Sequence, residues 1–143
     1  MSAEPVQVRG MSHDSGNWGI DTTFSGTMKF ANGAIGNVTT NMEQPFRCYI
    51  TIDGSKGRIE IPGMFDDSGP IIIKRGDGRN GENTEIIATP APYRFVVQFD
   101  EFSECVLTGK KPEYPAVDGL RNVAVLEALY KAADTGRPVD LSL

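Results

Sequence analysis

The sequence predicts an α+β domain, a mainly antiparallel open-faced β-sheet with helices packed on one face. Three observations carry this. Between residues 21 and 88 apolar residues recur at every second position, the mark of half-buried strands. Turn signals, led by Asn32-Gly33, divide that stretch into short segments. After Pro90-Ala91-Pro92 the apolar period changes to 3.6, so strands come first and helices last.

Taken in order, Val6 and Val8 alternate with polar neighbours in Pro5 to Gly10, which suits a short strand, and the segment from Ser12 to Gly19 reads as a polar loop. Phe24, Gly26, Met28 and Phe30 alternate with Thr23, Ser25, Thr27 and Lys29 as a half-buried strand does. Asn32-Gly33 suits a type I′ hairpin turn, with the chain returning through Ala34 to Met42. Cys48, Ile50 and Ile52, then Ile59 and Ile61, predict two strands around a turn at Gly54 to Gly57. The runs from Ile71 to Lys74 and from Glu85 to Ala88 form a third hairpin around a glycine-rich loop.

Phe95, Phe99, Phe102 and Val106 share one face of a helix that Gly109 and Pro112 end. Asp118 is the expected N-cap of a second helix, with Val123, Leu126, Leu129, Tyr130 and Ala133 on its apolar side. Val125 and Ala128 widen that stripe, which implies contact on more than one side. Gly136 and Pro138 supply the stop.

At 143 residues the chain fits one domain, spanning 1–143, with enough length to bury a core unaided. Its two cysteines, Cys48 and Cys105, do not make a disulfide framework, so a reducing cytoplasm is the expected setting. The formal charge of −5, with basic residues scattered, opposes a nucleic-acid surface. No apolar run approaches the ~20 residues of a membrane span, and no basic start with an apolar run marks a secretory leader.

Several residues invite chemistry. The segment from Gly76 to Gly81 matches G-x-G-x-x-G, but a dinucleotide loop needs a helix after it, and the residues before Pro90 are short and β-like. A hairpin loop is the reading there, as is a plain turn at Gly54-Ser55-Lys56-Gly57. His13, the one histidine, stands beside Asp14 in the polar loop as a candidate acid, base or substrate contact. Without a second histidine or a cysteine at ligand spacing, no zinc site is expected. Trp18 suits stacking on a sugar ring or anchoring an interface, Arg47 an anionic substrate group, and Tyr93 a phenol hydrogen bond to a polyol. Each also has a structural role open to it, as exposed loop, packing or ion-pair residue.

The segments 93–112 and 115–141, together with the hairpins of residues 21 to 62, resemble the C-terminal domain of the Gfo/Idh/MocA family of NAD(P)-dependent sugar, polyol and inositol oxidoreductases. The resemblance rests on order and spacing, not on a catalytic motif. It implies an N-terminal Rossmann domain as partner in the parent enzyme, holding NAD or NADP and a Glu-Lys-Pro motif that Lys110-Lys111-Pro112 only echoes. It further implies that an Asp/His helix precedes this domain, so His13 is not equated with that histidine. On this reading the chain itself holds no cofactor, no metal and no catalytic residue, and is inactive alone. It binds substrate and forms a homodimer or tetramer through the open sheet face. A free-standing, non-catalytic binding or scaffold module is the alternative.

Overall fold

A computed structural model describes residues 4–63, 69–76, 83–88 and 93–142. It is α+β, with two four-stranded antiparallel sheets and two helices. The chain divides into two compact units, Met1–Gln44 with Glu113–Leu143 and Pro45–Pro112.

The first unit holds strands β1 (Pro5–His13), β2 (Thr23–Phe30) and β3 (Ile35–Asn41), helix α2 (Ala116–Thr135) and strand β8 (Val139–Asp140). Its sheet runs β3-β2-β1-β8, and α2 lies on one face of it. β1 is longer than the alternation of valines suggests: it continues through Ser12 and His13, which pair with Phe24 and Thr23. A cross-strand partner is available at each step, and this overrides the polar composition.

The β2–β3 connection differs from the expected two-residue turn. Gly33 donates its N–H to the Phe30 carbonyl at 3.0 Å and Phe30 donates to the Ala34 carbonyl at 3.0 Å, so the loop has three residues, Ala31-Asn32-Gly33. Gly33 alone adopts positive φ, at 88°, while Asn32 uses its side-chain oxygen to accept the Ala34 N–H at 3.0 Å. Type I′ requires left-handed backbone at both positions; here one glycine and one side-chain bond suffice.

Val8, Phe24, Val125, Ala128 and Leu129 form the core, with Met28, Ala133, Val139 and Leu141 against it. The buried face of α2 is Val125, Ala128, Leu129 and Ala132, rotated from the side that the largest residues mark, since Val123, Leu126 and Tyr130 are exposed. The sheet explains the rotation. Gly10 and Gly26 are cross-strand partners under α2, and a Cβ at Gly10 would collide with the Leu129 carbonyl oxygen. The helix seats its alanine side there because only small residues allow the backbones so close. α2 starts at Ala116 with Pro115 as N-cap, not at Asp118. Asp118 lies in the first turn, where its charge favours the helix N-terminus. Both helices end on left-handed glycines, Gly109 and Gly136. β8 pairs with β1 only at Gln7 and Val8, and Pro138, lacking an N–H, stands where the ladder would continue.

The second unit holds β4 (Tyr49–Gly54), β5 (Gly57–Pro62), β6 (Ile71–Arg75), β7 (Asn83–Ile87) and α1 (Arg94–Thr108), with the sheet in sequence order. Its register puts Ile52, Ile59 and Ile73 in one row and Ile50 with Ile61 in the next, so one face is a sheet of isoleucines. The opposite face carries Arg58–Asp53 at 2.6 Å and Lys74–Glu60 at 3.1 Å. α1 follows its predicted span, and its stripe of Phe95, Phe99, Phe102 and Val106 is exposed within the described residues.

Candidate functional site

The loop between β1 and β2 is the most organised irregular segment of the first unit. Asp14 builds it: Oδ1 accepts the Gly16 and Trp18 amides at 3.2 and 3.0 Å, and Oδ2 accepts the Gly19 amide at 2.8 Å. These bonds, that of Trp18 first, lower the Asp14 pKa, because they stabilise the carboxylate. Asn17 is the one non-glycine residue at positive φ among the described residues, at 53°, and Gly19 follows at 77°. Thr22, fully buried, closes the base of the loop by donating to the His13 carbonyl at 3.2 Å and accepting the Ser15 amide at 3.2 Å. Outside it, Ser15 donates to Glu43 at 2.5 Å and Tyr130 of α2 donates to Asp21 at 3.0 Å. That carboxylate raises the Tyr130 pKa, through the hydrogen bond foremost. The Tyr130 ring packs on Phe24 at 5.2 Å between centroids.

Of the candidates picked out by sequence, this segment carries two. His13 is the last residue of β1 rather than a loop residue, and is exposed. Trp18 rides on the Asp14-clamped turn and is 64% exposed. Sequence reasoning passed over Asp14 as His13's neighbour; its signal was the spacing of an Asp before Gly16 and Gly19, where a carboxylate captures the amides of a tight turn.

The open face of this unit's sheet is mainly polar, with Met11 and Ile35 also exposed on it. Asn41 donates to Thr23 at 2.6 Å, Ser25 and Thr39 share a hydrogen bond at 3.3 Å, and Thr27 donates to Asn37 at 2.9 Å. These are three successive rungs across β2 and β3. The side chains thus bond one another across the two strands.

The other two candidates belong to the second unit. Arg47 stacks on Tyr49, its guanidinium carbon 4.2 Å from the ring centroid, at a depression of about 520 Å³ lined also by Phe46, Thr51, Glu60 and Ile61. Tyr93 is the N-cap of α1, exposed, with its ring edge-on to Phe95 at 5.4 Å.

Cofactor chemistry has a clear test at Gly76. Residues 77–81 of the glycine pattern lie outside the described residues. β6 before it pairs antiparallel with β7 after it, Arg75 opposite Asn83, so a strand and not a helix follows the loop. The described β7 is thus not the helix N-terminus that a pyrophosphate site needs. Gly54 and Gly57 close the β4–β5 hairpin in the same way, as a turn. Among the described residues no group of three His, Cys, Asp or Glu side chains is placed to hold a metal ion, and no helix is long and apolar enough to cross a membrane.

The family model of the Gfo/Idh/MocA oxidoreductases described as "C-terminal alpha/beta domain" matches residues 2–141. D-xylose 1-dehydrogenase (NADP(+)) 2 of Haloferax volcanii is 26% identical over 96% of this chain and 42% of its own length. Among solved structures, the aldose-aldose oxidoreductase of Caulobacter crescentus, complexed with glycerol, superposes with a TM-score of 0.81 at 29% identity, covering 97% of this chain and 42% of that one. The WlbA dehydrogenase of Bordetella pertussis, in complex with NADH and UDP-GlcNAcA, shares the fold at a TM-score of 0.71 and 22% identity, over 98% of this chain and 40% of that one. The chain thus spans about two fifths of the length of the relatives it matches.

Proposed function

Because this chain belongs to the Gfo/Idh/MocA oxidoreductase family as its C-terminal alpha/beta domain, we propose that it is the substrate-binding and oligomerisation domain of an NAD(P)-dependent enzyme acting on a sugar or polyol. The observation that carries this reading is the pairing of near-complete coverage of this chain with partial coverage of relatives whose names specify sugars, D-xylose 1-dehydrogenase and aldose-aldose oxidoreductase. The nicotinamide, held by an N-terminal domain in the parent, supplies the hydride chemistry. This chain's part is to bind and orient the sugar and to exclude water from it.

Four side chains, two in each unit, are each taken singly as a proposed substrate-proximal group. Trp18 offers an aromatic face to a sugar ring, and His13 a ring nitrogen to a hydroxyl. Arg47 on Tyr49 offers paired N–H donors, and Tyr93 a phenol. The open face of β3-β2-β1 is the proposed dimer or tetramer contact. Side chains already bonded to one another, as in the Thr27–Asn37 rung, can be covered with little polar desolvation. The working compartment is the cytoplasm, consistent with the unpaired Cys48 and Cys105.

Calorimetry and amide shift mapping test the division of labour. Titration with D-xylose should move resonances near the proposed groups, whereas NADP+ and NAD+ should give no heat. Tight binding of either dinucleotide to this chain alone would overturn the proposal.

A further inference from the structure

Trp18 is the sole tryptophan of the chain; its backbone is held by the turn it sits in, and its indole rests on Gly16. Its backbone N–H donates to Asp14 at 3.0 Å, within a turn whose amides at Gly16 and Gly19 end on the same carboxylate. The neighbour Asn17 holds a left-handed backbone that non-glycine residues adopt only when their surroundings impose it. The indole lies against Gly16: a Cβ there would collide with its Cε2 and Nε1 and stand 2.9 Å from Cδ1. Yet the side chain remains 64% exposed. A large aromatic ordered by backbone bonds and left in the open is arranged for contact rather than for the core.

We propose that Trp18 is a preset stacking platform for the apolar face of a sugar ring, and that Asp14 is the positioning residue that sets it. The inference rests on the sugar-acting reading above and adds the group that recognises the ring, together with the device that holds it. A pyranose or furanose presents C–H bonds on one face and hydroxyls at its rim. Such a ligand needs a flat aromatic surface whose orientation is settled before binding, because ordering a loop at the moment of contact reduces affinity. The turn does that ordering in advance. Gly16 is part of the device, since its bare Cα is the surface on which the indole rests.

The lone tryptophan makes the test direct, because all indole emission comes from position 18. With this chain, D-xylose and D-glucose are expected to shift that emission saturably, and the open-chain polyol sorbitol to do so weakly. Gly16→Ala, which displaces the indole, and Asp14→Ala, which releases the turn, should each raise the sugar Kd about tenfold. Amide dispersion from the β2–β3 hairpin should be unchanged in both. Asp14→Glu should not restore affinity, since its longer side chain cannot cap the same amides. If sugars shift amides elsewhere in the chain while Trp18 emission stays constant, the platform is refuted and the sugar-binding reading survives. If no sugar perturbs any resonance, both fall. Emission that responds to protein concentration and not to sugar would refute the platform and assign Trp18 to a contact between copies of the chain.

Discussion

Gly10 and Gly26 stand opposite each other across β1 and β2, and together they form the floor on which Leu129 sits. The two are not equivalent. Gly10 faces the Leu129 carbonyl, which is helix backbone, whereas Gly26 faces the Leu129 Cδ2 atom, from which an added Cβ would be 2.7 Å. Gly10→Ala should therefore destabilise the first unit by about 3 kcal/mol, at the upper end of overpacking effects, because α2 must lift as a whole. Gly26→Ala should cost roughly 1 kcal/mol, since a leucine tip can turn aside. Denaturant titration of the two variants checks the ordering, and equal losses would contradict it.

Leu129 is also the most buried large residue of α2. Truncation to Ala leaves a cavity between helix and sheet and should cost about 3 kcal/mol. Leu126→Ala, a half-exposed position one turn from the core face, should cost well under half as much. Thermal unfolding of both variants separates the face that the structure buries from the one that side-chain size alone would select.

Tyr130 and Asp21 tie α2 to the end of the β1–β2 loop. The folded-state pKa of Tyr130 is raised above its ordinary 10.0, so the stability this tie contributes is present below pH 10 and is lost as pH rises through the folded value. Tyr130→Phe should remove that alkaline component at a cost of about 0.5 kcal/mol near neutral pH. Unfolding followed from pH 8 to roughly pH 11 checks the sign.

Asp14 titrates in the opposite sense. Its folded pKa is lowered, so its contribution is present above the ordinary carboxylate value of 3.8 and disappears as pH falls through the folded value. Trp18 emission should hold steady through mildly acidic pH and change only below that range. Asp14→Asn should abolish the acid transition. A change in emission centred on neutral pH would point to another group.

Thr27→Glu places a charge at one end of the polar rungs. If that face meets its like in the parent assembly, sedimentation should show a smaller species than for the unaltered protein, with unchanged circular dichroism. An identical sedimentation profile would remove the face from the assembly.

Much of this was legible in the residues, for reasons that particular positions make plain. Phe24, Gly26 and Met28 are named by alternation alone because a strand has only two sides. The helix faces were harder. Along α2 the apolar stripe is wide enough to offer two seats, and the choice between them is made by Gly10 and Gly26, which belong to other strands and contribute no hydrophobicity of their own. Asn32-Gly33 named a turn correctly and its type incorrectly, because turn type depends on a backbone angle at Asn32 that composition leaves open. Of the site candidates, Trp18 was visible as a residue, but its clamp was not. Asp14 makes no hydrophobic pattern, and its role exists only once three amides converge on it.

The side-chain bond from Gln7 to Asp140 spans 133 positions of the chain. Within residues 1–143 the first strand therefore waits for the last: β1, β2 and β3 can assemble as a meander early, but the helix that covers them and the strand that flanks them follow the whole second unit. Residues 45–112, by contrast, are contiguous and complete long before. Until α2 is made, the side of that meander that carries Val8 and Phe24 has no cover from Val125, Ala128 and Leu129. Val139 and Leu141, which follow α2, then complete the packing around the core of Val8, Phe24 and Leu129.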